Sequence, residues 1–133
     1  MPPRESEKRG GNAKKQYEDF GMKKVKVGVI GLGQRGMGLL WSMMACEEAE
    51  IVAVCDKYED RRETGAKRVK ETRGNDVKQY EDYRELIDDK NVEAVVIASS
   101  WNEHTRMAVY SMKAGKYTAV EVAGGDDLEN CWP

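Results

Sequence analysis

The sequence is poor in the residues that build metal centres. Its 133 residues hold one histidine, His104, and three cysteines. A single imidazole excludes a histidine-rich metal site, and Cys46, Cys55 and Cys131 are scattered without metal-ligand spacing. Cys46 and Cys55 stand in apolar surroundings and read as small core residues. An odd cysteine count and the lack of a secretory signal favour a reducing cytoplasm over a disulfide framework. No apolar run approaches the roughly 20 residues of a membrane span, so no membrane partner is expected. Charge is balanced to a formal net of -2, which gives no reason to expect nucleic acid.

What is present describes one soluble domain. Hydrophobic content is 40% and charged content 35%, and the length suits one domain rather than two. Residues 1–21 are rich in Lys, Arg, Glu and Gly without apolar periodicity. They are expected to be a disordered extension, because they have little to bury against the entropy of ordering. Met22 stands just before Lys23-Lys24-Val25 and reads as an alternative start. The folded unit is then 22–133.

That unit is organised around Val25 to Gly36, VKVGVIGLGQRG. A short apolar run turns through Gly31-Leu32-Gly33-Gln34-Arg35-Gly36 and gives way to a helical pattern with Leu39, Leu40, Met43 and Met44 on one stripe. Strand, glycine turn and helix in that order form a dinucleotide-phosphate cradle. Gly31 permits the tight turn, Gly33 lets backbone approach a pyrophosphate, and Gly36 lets the helix pack closely. The helix N-terminus faces the anion. By itself the glycine pattern fits an ordinary strand-to-helix turn. Its context is stronger, because Asp56 ends the next apolar run twenty residues after Gly36. At that spacing a carboxylate reaches the adenosine ribose and opposes a 2′-phosphate, which favours NAD over NADP. Neighbouring Lys57 pulls the other way, and Asp56 could also cap the next helix.

Further units follow. Glu50–Cys55 predicts a second strand and 58–73 a charged helix. Val77–Tyr80 predicts a third strand, 81–89 a short helix and Val92–Ala98 a fourth strand. A helix opens after Ser99-Ser100-Trp101-Asn102-Glu103-His104 and is stopped by Gly115. Lys116–Glu121 predicts a fifth strand, and Asp126 caps a last helix. Such alternation predicts an α/β fold, a Rossmann-type doubly wound parallel sheet of order 3-2-1-4-5. The ligand crevice lies at the carboxyl ends of strands 1 and 4.

These stretches together resemble the N-terminal domain of the glucose-fructose oxidoreductase and inositol dehydrogenase family, Gfo/Idh/MocA. The resemblance rests on VGVIGLGQRG, Asp56, VVIASSWNEH and MKAGKYTAVEVAGG, and covers about 23–132. It implies an NAD-linked enzyme that acts on a sugar or sugar derivative by hydride transfer, homo-oligomeric when full length. It also implies that the sheet is truncated here before its last strand, with the catalytic groups in an absent C-terminal substrate domain.

The family's Thr-Pro-Asn becomes Ser99-Ser100 followed by Trp101-Asn102, and its Glu-Lys-Pro becomes Glu121-Val122-Ala123. The lysine near the nicotinamide is therefore missing. Glu-Val together with Leu128-Glu129-Asn130-Cys131-Trp132 resembles the NAD-dependent α-N-acetylgalactosaminidase-like branch. That branch works by transient oxidation, elimination, water addition and re-reduction. The resemblance implies that Gln34 and Arg35 lie against the pyrophosphate, that Trp101, Asn102, Glu103 and His104 border the nicotinamide half, and that Glu121 and Val122 meet its ribose or amide edge. Alternatively His104 merely packs at a helix start, and Trp101 is a lid or a hydrophobic plug. A non-catalytic NAD-sensing protein and a methyltransferase-like nucleotide fold are the competing readings.

Overall fold

Alternating strands and helices leave the chain one simple arrangement, and it takes it. The computed structural model describes residues 24–122 and 129. The extension 1–21, Met22, the helix begun by Asp126 and Cys131 lie outside the described residues. The elements in chain order are β1 (Val25–Ile30), α1 (Gln34–Met44), β2 (Ala49–Cys55), α2 (Glu59–Arg73) and β3 (Lys78–Tyr80). Then follow α3 (Tyr83–Asp88), β4 (Ala94–Ile97), a 3-10 turn (Trp101–Glu103), α4 (His104–Lys113) and β5 (Tyr117–Val120). The sheet runs β3-β2-β1-β4-β5, with every pairing parallel.

Two apolar layers cover the sheet. On one face Val27, Val29, Ile51 and Val54 meet Leu40, Met44 and Val69 from α1 and α2. On the other, Ile30, Ala53, Val95 and Ile97 meet Leu86, Ile87, Met107 and Ala108 from α3 and α4. Each fully buried side chain of this size contributes about 1.5–3 kcal/mol. Central strands buried on both faces explain the nearly continuous apolar runs. One irregularity adjusts them. Val27 pairs with Ile51 but Gly28 with Ala53, so Val52 is an extra residue in β2. The bulge puts Ile51 and Val54 on the same face despite their odd spacing. At Gly28 a Leu86 methyl lies 2.7 Å from where a Cβ would stand.

Helix ends follow local chemistry. Gly115 takes φ 79° just past α4, which ends the helix at little steric cost. Asp82 accepts a hydrogen bond from the Arg84 amide at 2.9 Å and caps α3. Two expectations are corrected. Cys46 is exposed rather than core, because α1 has already ended at Met44. Asp56 does not cap α2; Tyr58 is its N-cap, with no side-chain cap bond, and the Asp56 carboxylate is used elsewhere.

Candidate functional site

The carboxyl ends of β1 to β4 open into a cleft of about 970 Å³. The glycine turn forms its floor. Gly31 has φ 91°, and a Cβ there would meet the Ala98 carbonyl at 2.6 Å. A Cβ at Gly36 would stand 1.8 Å from the Gly31 oxygen. Both glycines are therefore demanded by the fold itself. Gly33 is different. Its φ of -69° suits any residue, and a Cβ would meet only the Arg61 guanidinium at 3.7 Å, on the cleft side. The protein's own packing does not require glycine there, whereas a ligand backed closely against the chain would. No side chain caps the first turn of α1 and no acidic residue lies in it, so its amide end is available to an anion.

Asp56 is 8% exposed and is held by the backbone. One oxygen accepts from the Leu32 amide at 2.8 Å and the other from the Tyr58 amide at 2.9 Å. The carboxylate thus ties the glycine turn to the start of α2 while still lining the cleft. Each oxygen keeps a second lone pair for a ribose hydroxyl. Arg61 lies 4.0 Å from the carboxylate, with its guanidinium over the Tyr58 ring at 4.9 Å, a cation–π contact. Lys57, Tyr58 and Arg61 form one wall of the cleft, while Glu81, Asp82 and Glu85 line it from the β3–α3 side. From sequence only Lys57 enters the argument, through its charge beside Asp56; the others carry no motif. The available signal was position, since the first turn after each strand faces the strand ends.

The other wall comes from the β4 end. Ser99, Ser100, Glu103 and Met107 line it, and the Ser99 hydroxyl donates to the Met107 sulfur at 3.1 Å. Of the residues assigned from sequence, Gly31, Gly33, Gln34, Arg35, Asp56 and Glu103 share this cleft. Gly36 lies behind it, against Gly31. Trp101 is 66% exposed and Asn102 is exposed, and neither lines the cleft. Val122 is also exposed.

Arg35 donates to Glu121 at 2.7 Å. The Arg35 hydrogen bond, then the Val122 amide, hold the Glu121 carboxyl below its usual range. His104 departs from a cofactor-facing placement. Its ring is 1% exposed, and its nitrogens face the Val122 carbonyl at 3.1 Å and the Ser99 carbonyl at 2.8 Å. It reaches the cleft through the loops it joins. The buried Cys55 thiol is pushed up to about 12, mainly by burial and then by Asp56, so it is no nucleophile. Among the described residues no cluster of His, Cys, Asp and Glu could hold a metal. No helix among them is long and apolar enough to cross a membrane.

Comparison with known proteins gives the site its context. Residues 25–122 match the Gfo/Idh/MocA family, described as an oxidoreductase family with an NAD-binding Rossmann fold. A glycosyl hydrolase family 109 protein of Phocaeicola vulgatus is 36% identical over 114 residues, covering 84% of this chain and 21% of that protein. An alpha-N-acetylgalactosaminidase of Shewanella oneidensis is 33% identical, covering 84% and 25% respectively. The structure of myo-inositol dehydrogenase from Lactobacillus casei with NAD(H) and myo-inositol superposes with TM-score 0.72 at 28% identity, over 80% of this chain and 31% of that one. The chain therefore spans about a quarter of the length of these curated relatives.

Proposed function

The chain belongs to the Gfo/Idh/MocA oxidoreductase family with its NAD-binding Rossmann fold, and from that premise we propose that its cleft holds the NAD of a sugar-handling enzyme. Gly33 carries the reading, since it is the glycine of the turn that the fold does not itself demand. The pyrophosphate then lies over Gly33 and the amide end of α1, near Gln34 and Arg35. The adenosine ribose lies at Asp56. NAD is preferred over NADP, because Asp56, Glu81, Asp82 and Glu85 face this side of the cleft and oppose a 2′-phosphate. Lys57 and Arg61 offset them in part. Glu103 borders the nicotinamide half, and Trp101, Asn102 and Val122 are the exposed rim beside it.

We assign hydride transfer with a sugar or sugar derivative as the chemistry of the full-length protein, with 22–133 as its nucleotide-binding unit. The acid–base groups belong to the length of the relatives that this chain does not span. A cytoplasmic homo-oligomer is the setting this implies. A second reading, glycosidic cleavage through transient oxidation and re-reduction, is supported by two observations. The curated relatives named above are glycosyl hydrolases, and Val122 stands where the family's lysine would.

Calorimetric titration of this chain with NAD and NADP tests the cofactor reading. Tighter NAD binding is expected, and equal or tighter NADP binding would overturn it. The protein from the complete gene, given a nitrophenyl N-acetyl-α-galactosaminide without added NAD, separates the two reactions. Nitrophenol release favours the glycosidase, whereas NADH formation from added NAD with a free sugar or sugar alcohol, and no nitrophenol release, favours net oxidation.

A further inference from the structure

We propose that Arg61, rather than Arg35, is the cation that meets the cofactor's diphosphate, closing over the glycine turn from the α2 side. On the NAD reading above, from which this proceeds, the diphosphate lies over Gly33. Of the arginines about the turn and Asp56, Arg35 donates to Glu121 at 2.7 Å and Arg62 to the Asp56 carbonyl at 2.8 Å. Both are engaged. Arg61 is held more loosely. Its guanidinium lies over the Tyr58 ring at 4.9 Å and 4.0 Å from the Asp56 carboxylate. At that distance there is an ion pair without a hydrogen bond, and the two Asp56 oxygens already accept from the Leu32 and Tyr58 amides. The planar fork of N–H donors is therefore open to a ligand.

Its position fits the task. A Cβ at Gly33 would stand 3.7 Å from Arg61 Nη1, so the guanidinium overhangs the space that this glycine leaves open. Gly33 is also the N-cap of α1, and the charge thus stands over the same amide end that attracts an anion. The Arg61 side chain is 48% exposed, and swinging it onto a ligand breaks no hydrogen bond. The electrostatics of the cleft call for such a group. Asp56, Glu81, Asp82, Glu85 and Glu103 line it, and a diphosphate entering among them needs more than the roughly half charge of a helix end. Arg35 brings its own carboxylate with it. Lys57 also lines the cleft, but it follows Asp56 directly and does not approach Gly33.

NMR titration of the full chain with NAD, ADP and adenosine tests this, since all carry adenosine and adenosine alone lacks phosphate. Arg61→Gln should weaken NAD and ADP about 3- to 10-fold, between a screened surface pair and a hydrogen-bonded charge. Adenosine should change by less than about twofold. Arg61→Lys keeps the charge and loses the flat fork, and it should recover most of the loss. Arg35→Gln combined with Glu121→Gln removes that pair without leaving a bare carboxylate. This double variant should bind ADP, which lacks the nicotinamide half, within about twofold of the wild type. An equal loss for adenosine, or a loss in Arg61→Lys as large as in Arg61→Gln, would place Arg61 on the base and overturn the proposal. So would a greater loss in the double variant, or no loss in Arg61→Gln. Each of these outcomes, with NAD still bound by the wild type, leaves the cofactor reading intact. A wild type that binds neither NAD nor ADP overturns both.

Discussion

Replacing Asp56 with alanine should damage the fold before it touches ligand chemistry. The carboxylate accepts two backbone amides. The Leu32 amide is buried, and Leu32 itself is 3% exposed, so water entering from the cleft replaces the charged acceptor only in part. A hydrogen bond to a charged group there is worth about 1.5–3 kcal/mol. The Tyr58 amide is nearer solvent and its loss should cost about 0.5–1.5 kcal/mol. Together Asp56→Ala should lose about 2–4.5 kcal/mol, a large share of the roughly 5–15 kcal/mol that holds a domain folded. Asp56→Asn should fall between, since its amide keeps one accepting oxygen and turns a donor toward the other N–H. Urea unfolding of the three proteins at neutral pH measures this as a fall in midpoint at constant slope. An Asp56→Ala loss below about 0.5 kcal/mol would refute the reasoning, because a neutral hydrogen bond alone exceeds it. Asp56→Asn is the variant to titrate with NAD and NADP. It removes the charge with less damage to the turn, and the gap between the two cofactors should narrow.

Gly33→Ala should change stability by less than about 1 kcal/mol, the scale of an N-cap exchange, yet weaken NAD binding measurably by calorimetry. Gly36→Ala forces a methyl onto the Gly31 oxygen and should cost about 1–3 kcal/mol or more, whereas Gly38→Ala, with open space around it, should gain up to about 1 kcal/mol; thermal melts of the pair give the contrast. Tyr80→Phe removes a 2.7 Å bond to Asp89 and should cost about 1–2 kcal/mol at neutral pH. The Asp89 carboxyl is held below its usual range, first by Tyr80 and then by the Asn91 amide, so this difference should shrink as pH falls through about 4 and lower. Burial, then Asp89, raises the Tyr80 phenol to about 12, so the difference should also shrink as pH climbs from about 10. Urea midpoints across pH test both limbs.

The fold was legible because its signals are local and repeated. Each apolar run is short, each is followed by a helical pattern, and the glycine turn fixes where the order reverses. The residue types at the floor of the cleft were legible for the same reason. What the sequence hides is the direction of side chains after folding. Asp56 reads as a ligand group, and nothing local says that its oxygens first serve Leu32 and Tyr58. His104 stands in a loop at the strand ends, and only the arrival of Val122, eighteen residues on, turns its ring inward. The pairing of Arg35 with Glu121 spans 86 residues and has no periodicity to announce it. The bulge at Val52 shifts a face pattern that strict alternation would misplace. Cys46 looks apolar by its neighbours, yet the helix ends two residues before it.

The contact between Gly28 and Leu86 binds two distant positions into one volume. The leucine fills the space that a side chain on β1 would need, with its methyl 2.7 Å from the missing Cβ. The two positions are coupled, since a methyl at 28 pushes the Leu86 tip aside and meets a Val92 methyl at 3.2 Å, and a smaller residue at 86 leaves a void costing up to about 2–5 kcal/mol. Relatives that carry alanine at the first should carry a shorter chain at the second, and the two substitutions should be inherited as a pair. Gly28→Ala with Leu86→Val should therefore be milder than the sum of the single changes, a signature of two sites that evolve as one.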